Sequence, residues 1–156
     1  MESRIEELEK QARALESSAE SRASLFEKAR QYSEDFLDHL PEKLAYEVSD
    51  TMGRGVYDIP IDENPKTFEE LLKLLASEVD RPGLNPASGK HAGYIPGGGL
   101  YPSAIADYLA AVTNRYTGVF FSSPGAVRIE NMCIRWMCDL IGYPDGAAGN
   151  LTSGGS

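Results

Sequence analysis

The stretch SPGAVRIENMCIRWMCDLIG, residues 123–142, decides how the rest of the chain is read. Ser123 followed by Pro124 offers an N-cap and a proline for the first turn, and Gly142 after Ile141 offers a C-terminal stop, so the spacing predicts a helix ending at Ile141. Within it Val127, Met132, Cys133, Trp136, Met137, Leu140 and Ile141 cover more than one face. A helix lying on a surface needs a single apolar stripe, whereas one apolar on several faces is built to lie between other elements. The helix therefore needs neighbours, and a chain that does not supply them will expose much apolar surface.

Working outward, Ser103 is placed to cap a helix through about Asn114 that buries Ile105, Tyr108, Leu109 and Val112. Residues 85–99 read as loop. Before them, Thr67 and Glu70 form a capping box, Phe68, Leu71, Leu72, Leu75 and Val79 share one helical face, and Pro82-Gly83 ends the element. Residues 41–66 are broken by Gly53, Gly55, Pro60 and Pro65 and are expected to form an irregular connector. A helix is predicted over residues 24–40, with Leu25, Ala29, Tyr32, Phe36 and Leu40 as its stripe and Pro41 as its stop. At the start, Met1, Ile5, Leu8, Ala12, Leu15 and Ala19 alternate spacings of four and three. That seam suits a short coiled coil or a solvated surface helix, and the spacing leaves both open.

The 156 residues suit one ordinary domain, and a chain of this size normally buries about 70% of its unfolded surface. With 42% hydrophobic and 25% charged residues, the composition excludes collagen-like, disulfide-dense and wholly disordered classes. No apolar run reaches the roughly 18 residues of a membrane helix, and residues 1–10 are charged throughout, unlike a secretory signal. A cytoplasmic address without membrane contact is the expectation. The net charge of -9 repels phosphate backbones, which excludes nucleic acid as a partner. Cys133 and Cys138, five apart, fit neither a redox pair nor zinc-ligand spacing and read as reduced core residues. His39 and His91 stand apart from any cysteine, so no metal site is expected.

Charge and glycine divide the chain. Residues 1–90 hold 20 acidic and 12 basic side chains, against four and three in residues 91–156, and no lysine follows Lys90. Thirteen of the 15 glycines lie after residue 80. The expected organisation is a charged helical arm and connector over residues 1–90, and a second segment over residues 91–156.

Two glycine segments in the second part could carry chemistry: residues 93–103 and the run Thr152-Ser153-Gly154-Gly155-Ser156. Three consecutive glycines at 97–99 suit positive φ or a close backbone approach, and equally suit a connecting loop. The terminal run offers unhindered N–H groups and hydroxyls of the kind that hold a phosphate at a helix start. No helix follows it, so the helix dipole that would assist is missing. No Ser-His-Asp arrangement, P-loop or dinucleotide fingerprint occurs.

The block from His91 to Gly142 carries GYIPGGGLYPSA (93–104), NRYTGVFFSSP (114–124) and ENMCIRWMCDLIGYP (130–144, running just past it) in that order, and LTSGGS closes the chain (151–156). This set strongly resembles the pyridoxal-5'-phosphate-dependent group II decarboxylases, the aromatic-amino-acid and glutamate decarboxylase family. The motifs cover about 65 residues; the first 90 match only in general plan, as an N-terminal helical arm.

The resemblance implies an α/β enzyme of the fold type I pyridoxal-phosphate class, of which this chain is a mostly α N-terminal portion: the helical arm and the start of the large domain. It implies a lyase of amino-acid and wider carboxylic-acid metabolism that breaks the Cα–carboxylate bond, and a homodimer formed through the arm and interface loops. By position, Gly154, Gly155 and Ser156 resemble the start of the phosphate cradle; Tyr94, Ile95, Pro96 and Gly97 resemble the loop lining the substrate pocket; residues 116–121 resemble a segment reaching the neighbouring subunit's site. Gly97 stands where aromatic-amino-acid members commonly carry threonine. The family's ring-stacking histidine, its aspartate for the pyridine nitrogen and its cofactor-bearing lysine match no residue here, and none of Lys10, Lys28, Lys43, Lys66, Lys73 and Lys90 matches that lysine. No catalytic residue is thus assigned in this chain. Its length is expected to be that of a piece, completed by the rest of the polypeptide or a companion chain, and inactive alone. Two other readings stay open: a non-catalytic helical module pairing through the Met1–Ala19 seam, and a pyridoxal-phosphate enzyme cleaving a different carbon–carbon bond.

Overall fold

The computed structural model describes residues 2–61, 63–94 and 99–152, and the chain divides into two units, Met1–Gly98 and Gly99–Ser156. Among the described residues the fold is mostly helical with one two-stranded antiparallel ribbon.

In the first unit, α1 (Glu2–Ala12) runs into a 3-10 turn (Arg13–Leu15), supported by Arg4–Glu7 and Arg13–Glu9 ion pairs at 2.8 and 2.7 Å. The helix does not continue through Ala19 as the seam required. The Ser18 hydroxyl accepts the N–H of Ser21 at 3.1 Å and caps a new helix, α2 (Ala19–Asp38). An N-cap serine gives a first-turn amide a partner that a continuous helix would take from the preceding turn, so Ser18 ends one seam and starts another. Ile5 and Leu8 stay on α1, Leu15 lies in the 3-10 turn, and Met1 lies outside the described residues. On α2 the anticipated stripe is realised: Leu25, Ala29, Tyr32 and Phe36 lie on its half-buried face. The helix begins five residues earlier than its apolar pattern suggested and stops at Asp38, before Leu40 and Pro41.

The connector is more ordered than its glycines and prolines suggested. It contains strand β1 (Tyr46–Glu47) and a one-turn helix α3 (Arg54–Tyr57) entered through Met52 and Gly53, both at positive φ. Elements of two and four residues are too short to leave a readable periodicity. Helix α4 (Phe68–Leu75) carries the expected capping box: Thr67 Oγ1 accepts from the Glu70 amide at 3.2 Å, and Glu70 Oε2 accepts from the Thr67 amide at 2.7 Å. It then widens into a π turn (Ala76–Asp80), closed by the Arg81 N–H donating to the Ala76 carbonyl at 3.1 Å. Strand β2 (Gly83–Leu84) follows and pairs with β1, Tyr46 opposite Leu84 and Glu47 opposite Gly83.

In the second unit, α5 (Tyr101–Thr113) starts earlier than expected. Leu100 occupies the cap position, Pro102 lies in the first turn and Ser103 falls inside the helix rather than capping it. Proline fixes a helical φ without needing an amide partner, so Pro102 sets this start. Asn114 ends the helix in the left-handed region, a 3-10 turn (Phe120–Ser122) follows, and α6 spans Pro124–Ile141 as anticipated. Its end is a glycine stop: Gly142 lies at φ 77°, and the Tyr143 amide donates back to the Cys138 carbonyl at 2.9 Å.

Among the described residues no apolar side chain is buried; the two buried residues are Ser88 and Ser123. The burial expected for Ile105, Tyr108, Leu109 and Val112 is not found: they are 37% to 64% exposed, the described residues of the second unit leaving that stripe open. On α6, Trp136 is 56% and Leu140 86% exposed, as its several apolar faces foretold. Cys133 and Cys138 are free and half-buried, not core residues, since the described residues of the second unit leave the helix that carries them largely open. No described helix is long and apolar enough to cross a membrane.

Candidate functional site

The segment leading to the candidate substrate loop is held in place mainly by backbone carbonyls. The β1–β2 pairing is extended by the Asn85 amide, which donates to the Ala45 carbonyl at 2.9 Å. The buried Ser88 hydroxyl donates to the Lys43 carbonyl at 2.8 Å and accepts from the Lys90 amide at 3.2 Å. Lys90 Nζ donates to the Glu42 carbonyl at 2.9 Å. Residues 83–90 are thus fastened along residues 42–47, and the chain leaves this ribbon at His91.

His91 then folds back over the loop it begins. Its Nε2 lies 3.0 Å from the Tyr94 carbonyl oxygen, which can only accept, so Nε2 carries the proton and donates. The imidazole meets the Tyr94 ring edge-on, centroids 5.1 Å apart. A side chain at position 93 would place its Cβ 3.2 Å from His91 Cε1, so Gly93 leaves room for the ring. Tyr94 remains 66% exposed, its backbone fixed and its ring presented outward. Of the four residues assigned to the substrate loop, Tyr94 is placed in this way; Ile95, Pro96 and Gly97 lie outside the described residues. In the sequence His91 stands apart from any cysteine and so carries no metal-ligand signal. Its signal is local: a histidine three residues before a tyrosine, with a glycine between them.

Gly154, Gly155 and Ser156, assigned to the phosphate cradle, also lie outside the described residues. The described residues before them, up to Leu151, follow α6. After Gly142 the chain turns, the Ala147 amide donating to the Pro144 carbonyl at 3.1 Å, and returns along the helix. Gly149 lies against Ile134, where a Cβ would come within 3.1 Å of the side chain, and the Leu151 amide donates to Glu130 Oε1 at 3.4 Å. Glu130 and Ile134 sit one turn apart on α6, so one face of that helix guides residues 149–151.

At residues 116–121 the Tyr116 hydroxyl folds over Gly118, where any Cβ would lie 2.3 Å from it. Arg128, in the first turns of α6, stacks over the Phe120 ring with its guanidinium carbon 5.2 Å from the centroid, and Phe121 projects into solvent. Three of the lysines make contacts in the first unit: Lys28 pairs with Glu69, Lys43 Nζ lies 4.9 Å over the Phe36 ring, and Lys90 holds the Glu42 carbonyl.

The first unit also contains an open cleft of about 270 Å³ between α2, the ribbon and the π turn, with Tyr32, Phe36, Lys43, Glu47, Asp80 and Arg81 among its walls. The Tyr32 hydroxyl donates to the Asp80 carboxylate, and burial together with that bond pushes its pKa up. Arg81 Nε donates to Glu47 Oε1 on the other side.

No protein-family model matches the chain. It is similar to an aromatic-L-amino-acid decarboxylase of Bacillus atrophaeus, with 31% identity over 143 residues that make up 91% of this chain and 30% of that protein. Among solved structures it is similar to Rhodiola rosea 4-hydroxyphenylacetaldehyde synthase, with a TM-score of 0.72 and 14% identity over 81% of this chain and 27% of that one. The second likeness is one of fold. The first bears out the resemblance carried by the motifs and extends it, because residues 91–156 can supply at most 66 of the 143 aligned positions. Much of the arm is therefore aligned as well. The chain spans less than a third of the length of either relative.

Proposed function

We propose that this chain is the N-terminal segment of a pyridoxal-5'-phosphate-dependent amino-acid decarboxylase of fold type I, a homodimeric cytoplasmic enzyme. The observation that carries the reading is the 31% identity to an aromatic-L-amino-acid decarboxylase over 91% of this chain. The absence of any buried apolar side chain among the described residues supports the second half of the reading, that the segment is completed by further protein.

The chemistry of the terminal donors suits one end of the cofactor. The hydroxyls of Thr152, Ser153 and Ser156 and the side-chain-free Gly154 and Gly155 are of the kind that hold a phosphate, which supports a role for Gly154, Gly155 and Ser156 in binding that end of the cofactor. When bound, pyridoxal phosphate supplies the electron sink for the bond being broken. The residues of this chain would bind and orient. Tyr94, positioned by His91, would wall the substrate loop with Ile95, Pro96 and Gly97, and an exposed ring beside the loop suits an aromatic substrate side chain. The proton-handling groups and the lysine that carries the cofactor would lie in the remainder of the polypeptide.

A self-pairing helical module is disfavoured by the break at Ser18, which divides the seam on which it would rest. Decarboxylation is preferred to other carbon–carbon cleavage because the relative that shares sequence is named a decarboxylase. Product analysis tests the choice. The complete polypeptide, supplied with pyridoxal phosphate and a panel of aromatic L-amino acids, is expected to yield the corresponding amines. Cleavage products other than amines would replace this reading with another lyase.

A further inference from the structure

We propose that His91 is a positioning residue for substrate: it touches no substrate itself but holds the Tyr94 ring in one orientation, so that affinity for an aromatic side chain depends on His91 through Tyr94 alone. This rests on the decarboxylase reading and on Tyr94 lining the substrate loop, and it goes beyond both in giving His91 a part in substrate selection.

The clamp is built outward from the ribbon. The buried Ser88 hydroxyl donates to the Lys43 carbonyl, and the Ser88 carbonyl accepts the His91 amide at 3.0 Å, so the backbone at His91 is rooted in the fastened segment. His91 is half-buried, while residues 92–94 beyond it are exposed. Two different contacts then join its imidazole to Tyr94. Nε2 donates to the Tyr94 carbonyl at 3.0 Å, which fixes the backbone, and the ring planes meet at 72° with centroids 5.1 Å apart, which fixes the side chain. A hydrogen bond alone would leave the phenol free to turn about its side-chain torsions, and a ring contact alone would leave the backbone unheld. Gly93 is the condition for both. A Cβ there would lie 3.2 Å from His91 Cε1 and 3.5 Å from Nε2, crowding the imidazole at the atoms that make the contacts. The clamp is complete within residues 88–94, so it does not depend on which protein covers the outward side of the Tyr94 ring.

Of Tyr94, Ile95, Pro96 and Gly97, Tyr94 alone carries an aromatic ring, so orientation-dependent contact with an aromatic substrate falls to it. A ring held in place beforehand needs no ordering when substrate binds, which raises affinity. Without the clamp, that ordering returns to the binding step. The substrate's side chain is unchanged by loss of its carboxylate, so a contact to it is equal in the ground and transition states. Weakening such a contact raises KM and leaves kcat nearly alone.

Steady-state kinetics of the complete polypeptide with pyridoxal phosphate, on L-tyrosine, L-phenylalanine and L-tryptophan, tests this in the parent, His91→Ala, His91→Gln, Tyr94→Ala and the double variant of His91→Ala with Tyr94→Ala. His91→Ala is expected to raise KM about tenfold, with kcat changed by less than about twofold. Glutamine, whose amide nitrogen can take the place of Nε2 as donor, is expected to restore part of the affinity. The double variant is expected to have the KM of Tyr94→Ala, since His91 acts only through that ring. Thermal midpoints and cofactor affinity are expected to match the parent throughout. An unchanged KM in His91→Ala, glutamine no better than alanine, additive losses in the double variant, or losses that track a lower midpoint would overturn the role of His91 and leave the decarboxylase reading standing. No turnover of any of the three substrates by the parent would remove both.

Discussion

The backbone amide of Gly55 donates to the Glu78 carboxylate at 2.9 Å, joining the one-turn helix of the connector to the π turn 23 residues later. Two glycines make room for that contact. A Cβ at position 55 would lie 2.7 Å from Glu78 Cδ, and one at position 53 would lie 3.2 Å from the Glu78 carbonyl oxygen, with φ at 84° besides. The connector is therefore spaced to receive Glu78, and the π turn offers it.

From that geometry, Gly53→Ala is expected to be costlier than Gly142→Ala. Both residues lie at positive φ, which costs alanine about 1 kcal/mol, but nothing lies within 4 Å of a Cβ at Gly142, whereas Gly53 faces backbone that must move. Urea midpoints of the two variants would settle the order. Equal losses would show that the approach of Glu78 contributes nothing.

Thr67→Ala removes the hydroxyl that accepts the Glu70 amide, and a lost N-cap costs about 1 kcal/mol. Thr67→Ser is expected to restore most of it, because serine keeps the acceptor. Thermal unfolding of the three proteins checks this; an alanine variant as stable as the parent would show that α4 does not depend on its cap.

Ser88→Ala leaves the Lys43 carbonyl and the Lys90 amide without their common partner in a buried place, an expected loss of about 1 to 2 kcal/mol. Hydrogen exchange should localise the change to residues 42–47 and 85–91. A loss spread evenly over the unit would mean that Ser88 acts through general packing.

The histidine at the end of α2 gives a pH dependence of known sign. His39 Nδ1 donates to the Asp35 carbonyl at 2.8 Å and lies 3.3 Å from the Asp35 carboxylate; these raise its pKa, the carbonyl contributing most. A folded value above the unfolded one means that the stabilisation is complete below the ordinary histidine pKa of about 6.5 and fades as pH rises through the folded value. The effect should be small, since the side chain is exposed. Ring proton shifts followed by NMR should place His39 above 6.5, and His39→Gln should flatten the corresponding part of the stability profile. A midpoint at or below 6.5 would remove the basis for this.

The parts of the fold legible in the sequence are those whose signals are local. Thr67 with Glu70, Ser123 with Pro124, and Gly142 each specify a helix end within four residues, and each end lies where the pattern put it. The Ser18 cap is equally local but lies inside an apolar periodicity that runs through it, and the start of α5 lies at Leu100 rather than at Ser103. The ribbon and the π turn were not legible, because Tyr46 and Leu84 meet across 38 residues and the two strands are too short to alternate. In the candidate site, the reading of Tyr94 as a substrate-loop residue comes from the motif resemblance, while the bond from His91 to its carbonyl is one that no spacing rule anticipates.

The most direct test of the decarboxylase reading is carbon dioxide release from a carboxyl-labelled aromatic L-amino acid, measured side by side for the complete polypeptide and for residues 1–156 alone, each with and without pyridoxal phosphate. Release by the complete polypeptide only when the cofactor is present, and none by residues 1–156, is the expected result. No release by the complete polypeptide with the cofactor present, or release by the 156-residue chain alone, would contradict it.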